Sequence, residues 1–374
     1  MKPNEQPKSK ILIALLRVAL SEAIRPSDVA LFTGDTPWEE VYRFSAAQGV
    51  MALAWDGLMR LQSEGLISQE QMPSRAIKLQ WALGVERAER RYETQKQALT
   101  KLAKIYNREG IRMMVLKGYG LSLCYPRPEH RTSSDIDIWL FGKQKQADEI
   151  LRERYNIAID EDVHHHTVFS LDGVMVENHY DFLNIHAHRS NRDIEAHLKS
   201  WGNDGIATTV DTEVVYLPSV NCHALFLIRH AAQHFAAAEI VLRHVTDWAM
   251  FVHKHGAEID WPLLRSICRS HRMDKFLDAM NVIAANIVAF ECETGKEGVD
   301  SYDVETTERI LNDILQPEFS EQKPKDGLIQ ILIFKWRRWW ANRWKHRLVY
   351  REGLIATLFV QLRSHLLKPK TFKH

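Results

Sequence analysis

The sequence predicts an α+β fold, with a small mixed-sheet unit over residues 107–217 flanked by helical segments on both sides. Two observations predict it. The apolar period is helical from Ile11 to Tyr106, shifts to short apolar and alternating runs from Ile111 to Leu217, and returns to helical after Pro218. A chain of 374 residues also exceeds one ordinary hydrophobic core. The expected division is an N-terminal helical domain at 1–106, the sheet domain at 107–217, a helical domain at 218–316, and a linker plus C-terminal helical segment at 317–374.

A polar, lysine-bearing start precedes the apolar Ile11–Leu20, but Arg17 interrupts that stretch and no small-residue cleavage site follows, so an amphipathic helix is expected rather than a secretory signal. Thr36 is expected to cap a helix opened by Pro37-Trp38. Val50–Trp55 begins another helix, and a long one runs from Ser74 to Glu109, where Gly110 stops it. Ile111–Leu116 reads as a buried strand, Gly118–Cys124 as a turn into a short helix, and Tyr125–Pro128 as a loop. Ser134–Leu140 alternates strictly and reads as a strand, followed by a helix over Lys143–Glu153. His165–Leu171 and Val174–Phe182 flank Asp172-Gly173, which favours a tight hairpin turn. The next strand is Val214–Leu217, and no element is predicted between Phe182 and Val214. Helices are expected over Asn221–Ala238, Glu239–His255, Trp261–His271, Lys275–Phe290 and, after the polar stretch Pro317–Gly327, within Leu328–Leu367.

The formal net charge is +1, so the chain as a whole is no electrostatic glove for nucleic acid. Cys124, Cys222, Cys268 and Cys292 are scattered, which argues against a disulfide framework and a structural zinc site and fits a reducing, cytoplasmic compartment. No run has the roughly 18 to 20 apolar residues of a transmembrane segment.

Period-2 geometry sends Asp135 and Asp137 to one face of their strand, and Ile136 and Ile138 to the other. Two adjacent carboxylates need a shared proton or a cation. In Val174–Tyr180, Glu177 and His179 share a face, so a neighbouring strand would bring a third carboxylate; Asp172 and Asp181 are alternatives to Glu177. Such a triad suits two Mg²⁺ or Mn²⁺ ions ~3.5–4 Å apart that clamp a phosphoryl displacement. Gly118 would let the backbone approach phosphate, and Lys117 and Arg131 are the nearby cations.

Val115-Leu116-Lys117-Gly118, Tyr125-Pro126, Arg131, Ser134-Asp135-Ile136-Asp137-Ile138 and Val176-Glu177-Asn178-His179, in that order, resemble the polymerase-β nucleotidyltransferase superfamily, and most of all its bacterial branch of uncharacterised nucleotidyltransferases. The likeness extends over roughly residues 35–275, including Arg243–Trp248 and Ile259-Asp260-Trp261. It departs in Tyr119, where a Ser usually follows the motif glycine, and in a long gap from Gly118 to Asp135. The resemblance implies a catalytic domain at 107–217 with metal held by Asp135, Asp137 and Glu177. It also implies an NTP, ATP first among them, along Lys117, Gly118, Arg131 and Ser134. His179, on the face of Glu177, is a candidate to support the metal ligands or face substrate, or else a plain core or edge histidine. His230, His234, Arg243 and Asp247 either line the cleft against base, ribose or acceptor, or hydrogen-bond between helices.

The implied reaction moves an NMP from the NTP to a hydroxyl of an acceptor that is a small molecule, a protein or an RNA. The alternatives are a nucleotide- or RNA-binding protein without catalysis and a protein-modifying component of a toxin–antitoxin type. In His164-His165-His166, alternation separates His165 from its neighbours, so the three are not expected to converge, while His166 could lie near the site. Phe334–Arg347 carries Trp336, Trp340 and Trp344 on one expected helical stripe among arginines and lysines. RNA contact, an interfacial membrane helix and packing on the Trp stripe all fit that pattern.

Overall fold

The computed structural model of the chain describes residues 6–161, 165–288, 303–321, 324 and 327–353. The helices before the sheet are α1 (Pro7–Leu20), α2 (Pro26–Val29), α3 (Trp38–Ala47), α4 (Met51–Ser63) and α5 (Arg75–Arg108). Next come β1 (Met114–Val115), α6 (Gly118–Ser122), β2 (Asp135–Trp139), α7 (Gln144–Tyr155), β3 (His166–Leu171) and β4 (Val174–His179). After α8 (Arg189–Gly202) lie β5 (Ile206–Val210) and β6 (Glu213–Leu217). The remaining helices are α9 (Val220–Ala237), α10 (Leu242–His255), α11 (Trp261–Ser270), α12 (Asp274–Val288), α13 (Val304–Leu315), α14 (Leu328–Ala341) and α15 (Arg343–Val349). This is an α+β chain. None of the described helices is long and apolar enough to cross a membrane.

The chain divides into two compact units, one of Met1–Glu89, Ala231–Ala257 and Arg272–Val349, the other of Arg90–His230, Glu258–His271 and Tyr350–His374. In the first unit α1 is apolar on nearly every side and buries Ile11 through Leu16, which marks it as a central core helix. Gln48 tethers α10 there: its Oε1 accepts from Leu242 N at 2.8 Å and its carbonyl from Arg243 N at 3.2 Å. That helix accordingly starts at Leu242, three residues later than the sequence suggested. Thr36 does not cap α3. The N-cap is Pro37, and the Thr36 hydroxyl donates to Thr33 O and accepts from Thr33 N, closing a local turn of the kind that competes with capping.

The expected three-member Trp stripe is also corrected. A break at Asn342 separates α14 from α15, so Trp344 leaves the line of Trp336 and Trp340. Trp344 packs edge-on against Phe235 and under the Arg309 guanidinium, whereas Trp336 and Trp340 stack on each other and stay 60% and 51% exposed. The part of the expected C-terminal helix beyond Gly353 lies outside the described residues.

The second unit holds the six-stranded mixed sheet, in the order β3-β4-β2-β1-β6-β5. β2 runs parallel to β4 and antiparallel to β1, while β1 runs parallel to β6. One face presents Ile136, Ile138, Val174 and Val176 to Leu99 and Leu102 of α5 and Leu151 of α7, forming the core. The expected strand over Ile111–Leu116 shortens to two residues, although Met113 O still accepts from Tyr216 N at 2.8 Å and the flanking Ile111 stays buried. Four elements escaped the sequence reading: α2 and α13 in the first unit, and α8 and β5 in this one. α8 buries Ser190, Asn191, Ile194, Glu195, Leu198 and Gly202 at helical spacing, but most of that face is polar, and β5 is an edge strand buried only at Val210.

Asp172 and Gly173 take φ of 51° and 79°, the doubly left-handed pair of a type I′ hairpin, which fixes the register of β3 on β4. From the core side α7 clamps β4. Gln144 Nε2 donates to His179 O at 3.0 Å, and Asp148 accepts from Asn178 Nδ2 at 2.8 Å and from Thr167 Oγ1 at 2.9 Å. All of these groups are buried. Asp148→Ala strands two buried donors and should lower unfolding stability by about 2–4 kcal/mol, read as a lower midpoint in urea. An unchanged midpoint would mean that the clamp holds nothing.

Candidate active site

The register sets the site. Asp137 lies opposite Glu177, and Trp139 opposite His179, on adjacent parallel strands. With the isoleucines in the core, Asp135, Asp137, Glu177 and His179 stand together on the other sheet face. β1 adds the cation. Leu116 N donates to Asp137 O at 3.0 Å, which places the next residue, Lys117, beside β2, with its Nζ 2.9 Å from Asp137 Oδ1. Gly118 follows at φ +49°, a left-handed torsion that favours glycine. Arg131 is buried and donates through Nη1 to Gly118 O at 3.3 Å, bracing the turn. The Ser134 side chain hydrogen-bonds Asp135. α6 is a single short turn, too short to supply the anion-attracting helix terminus that the sequence suggested.

His179 closes the cluster. Its Nε2 lies 3.2 Å from Asp137 Oδ1 and 3.4 Å from Glu177 Oε2, and its Nδ1 lies 3.2 Å from Asp181 O. A backbone carbonyl only accepts, so Nδ1 carries a hydrogen and Nε2 faces the carboxylates. His166 Nε2 is 3.8 Å from Glu177 Oε2. The expectation that alternation separates His165 from His166 is corrected: His165 precedes the first residue of β3, and its ring lies 4.4 Å from that of His166 and 5.4 Å from that of His179. His164 lies outside the described residues.

The two aspartates are driven apart electrostatically. Burial and then the negative Asp137 raise the Asp135 carboxyl. Burial also works to raise Asp137, but Lys117 and His179 outweigh it and hold that carboxyl far below the usual range. The same pairing shifts its partners. His179 would be lowered by burial, yet its hydrogen bonds to Asp137 and Glu177 push it up to about 9. Lys117 is likewise raised, Asp137 prevailing over burial. Glu177 is lowered: burial opposes this, and the His179 hydrogen bond prevails. His166 falls to about 4 through burial and the neighbouring His179.

Ligand atoms of Asp137, Glu177 and His179 all lie within 4.8 Å of one another. That spacing fits one small cation bound by hard oxygens and an imidazole. Beside them a small recess is lined by Asp135, Gly118, Arg131, Tyr119, Tyr92 and Lys96, among others. The Tyr92 and Tyr119 rings stack at 6.2 Å. Sequence reasoning did not single out Tyr92 or Lys96, although their four-residue spacing puts them on one face of α5 and could have flagged them.

The His230 ring lies 5.9 Å from Phe226 in the sheet-bearing unit. In the helical unit the His234 ring lies 5.8 Å from His244, Arg243 packs its stem against Gly49, and Asp247 is buried in α10.

A mixed sheet that gathers carboxylates, a lysine and a glycine turn on one face is an arrangement suited to phosphoryl chemistry. The family model described as uncharacterised nucleotidyltransferase matches residues 34–289, and the chain belongs to that family. No curated protein and no solved structure matches the chain.

A pH dependence follows from His179. Because its folded value of about 9 exceeds its ordinary 6.5, the stability it contributes is complete below pH 6.5 and is lost progressively up to about pH 9. The loss is ~3 kcal/mol. In metal-chelating buffer, the wild type should lose this stability between those limits and His179→Gln should not; parallel profiles would contradict the assignment.

Proposed function

We propose that the chain transfers an NMP from an NTP, ATP first among them, to a hydroxyl of an acceptor, on a polymerase-β-like catalytic domain at 107–217. The observation that carries this reading is the register of Asp137 against Glu177, with Asp135 two residues away on the same strand face. Asp135, Asp137 and Glu177 would hold Mg²⁺ or Mn²⁺, which when bound neutralises phosphate charge and favours attack at the α-phosphorus.

The chain's own residues do the rest. Lys117 exchanges its contact with Asp137 for one with the triphosphate as phosphate enters. Gly118 lets the backbone close on a phosphate oxygen, and Ser134 orients Asp135. Arg131 keeps the glycine turn in place through its hydrogen bond to Gly118 O. A carboxylate of the triad, Glu177 or Asp137, receives the hydroxyl proton while the acceptor oxygen bonds to the α-phosphorus and pyrophosphate leaves. Most of the rate enhancement would come from positioning and charge neutralisation. Stacked Tyr92 and Tyr119, in the recess that reaches Asp135, offer an aromatic wall for a nucleoside.

The acceptor is a small molecule, a protein or an RNA. RNA draws support from α14–α15, where Trp336 and Trp340 lie exposed and Lys335, Arg337, Arg338, Arg343 and Arg347 occur with no acidic residue between Leu328 and Val349, whereas Lys345 is buried against Asp313. Neutralising Arg337 and Arg343 should weaken RNA binding and flatten its salt dependence. Unchanged RNA binding removes that support.

Labelled NTP incubated with Mg²⁺ or Mn²⁺ and cell extract split into protein, RNA and small molecules tests the reaction. Label should move into one fraction, and Asp135→Asn and Asp137→Asn should cut transfer by roughly 10²-fold or more. Glu177→Gln at full activity would remove Glu177 from the triad. NTP binding with no pyrophosphate released from any mixture would replace the enzyme by a binding module. Label confined to one partner protein would favour a toxin–antitoxin-type role.

A further inference from the structure

We propose that a divalent cation bound between Asp137 and Glu177 takes His179 Nε2 as a ligand, making a mixed nitrogen–oxygen site that prefers Mn²⁺ to Mg²⁺. This rests on the reading of the carboxylates as metal ligands and adds an imidazole to them.

Four observations carry it. Nε2 has two carboxylate oxygens as near neighbours, at 3.2 Å and 3.4 Å. An N–H there can serve both only by sharing one hydrogen, whereas a cation satisfies the two oxygens and the nitrogen lone pair together. The opposite ring nitrogen faces Asp181 O at 3.2 Å, the outer hydrogen bond that orients a metal-binding imidazole and fixes its tautomer. The residue is held from behind as well: it is 3% exposed, and its own carbonyl accepts from Gln144 Nε2. Finally, His166 is also nearly buried, with its Nε2 3.8 Å from Glu177 Oε2, so a second imidazole stands on the Glu177 side of the site.

The donor set decides the metal. Mg²⁺ prefers oxygen ligands at near-ideal octahedral geometry and gives up its waters reluctantly. Imidazole moves preference toward transition ions, and Mn²⁺ accepts carboxylate, water and imidazole together. The site therefore discriminates by ligand type, where three carboxylates alone would not.

Pulsed electron paramagnetic resonance on the full chain loaded with substoichiometric Mn²⁺ reads ligation directly, independent of turnover. Nitrogen-14 modulation from a coordinated imidazole should appear in the wild type, persist in His166→Gln and vanish in His179→Gln. The last variant should also weaken Mn²⁺ binding by roughly 10-fold or more, with a smaller effect on Mg²⁺ measured by competition. Mn²⁺ bound in an Asp137-dependent way with no nitrogen modulation in the wild type overturns the imidazole ligand and leaves the carboxylate site standing. Modulation that survives in His179→Gln and is lost in His166→Gln assigns the nitrogen to the wrong histidine and overturns it too. Mn²⁺ binding indifferent to Asp137→Asn overturns both this inference and the metal site beneath it.

Discussion

A carboxylate at the centre of the sheet, Asp137, is 1% exposed, and the surrounding structure is organised around neutralising it. A buried anion without partners would take up a proton or destabilise the fold by several kcal/mol. Lys117 and His179 keep it ionised instead, each from a neighbouring strand or turn. Both cations need exact placement, which explains why short segments around them are so heavily constrained. Leu116 N bonds to Asp137 O, Gly118 takes a left-handed turn, Arg131 holds that turn, and Asp181 O fixes the imidazole.

Sheet order makes the cluster possible. β2 sits between β1 and β4, so one strand brings the lysine and the other the glutamate and histidine. Parallel pairing of β2 with β4 aligns Asp137 with Glu177, and a slip of one residue would turn Glu177 to the core side. The α7 clamp on Asn178 and His179 guards against that slip, while the hairpin turn at Asp172-Gly173 fixes β3 on β4. Core packing and site geometry are thus the same constraint seen from opposite faces of one sheet.

Much of this was legible in the sequence because it is local. Alternation in Ser134–Leu140 and Val174–His179 separates core-facing from site-facing side chains, and Asp172-Gly173 announces its turn. The partners of α7 were hidden, since nothing in the sequence pairs Gln144 or Asp148 with a strand some thirty residues on. Alternation misled at His165, which lies one residue outside its strand, and at Trp344, beyond a helix break that periodicity does not reveal. α8 went unread because the face it buries is mostly polar, with Ser190, Asn191 and Glu195 beside Ile194 and Leu198, and β5 because only Val210 of that edge strand is buried. His179 appeared only as a neighbour of Glu177; its two-sided contact with Asp137 and Asp181 depends on strand pairing and on the turn after β4.

The central claim is that these carboxylates and this lysine form one cation and triphosphate site. A crystal structure with Mn²⁺ and a nonhydrolysable NTP, using anomalous scattering at the manganese edge, tests it most directly. The account predicts manganese density among Asp135, Asp137 and Glu177, with phosphates against Lys117 and Gly118. Manganese or phosphates bound elsewhere, with Lys117 still paired to Asp137, would contradict it.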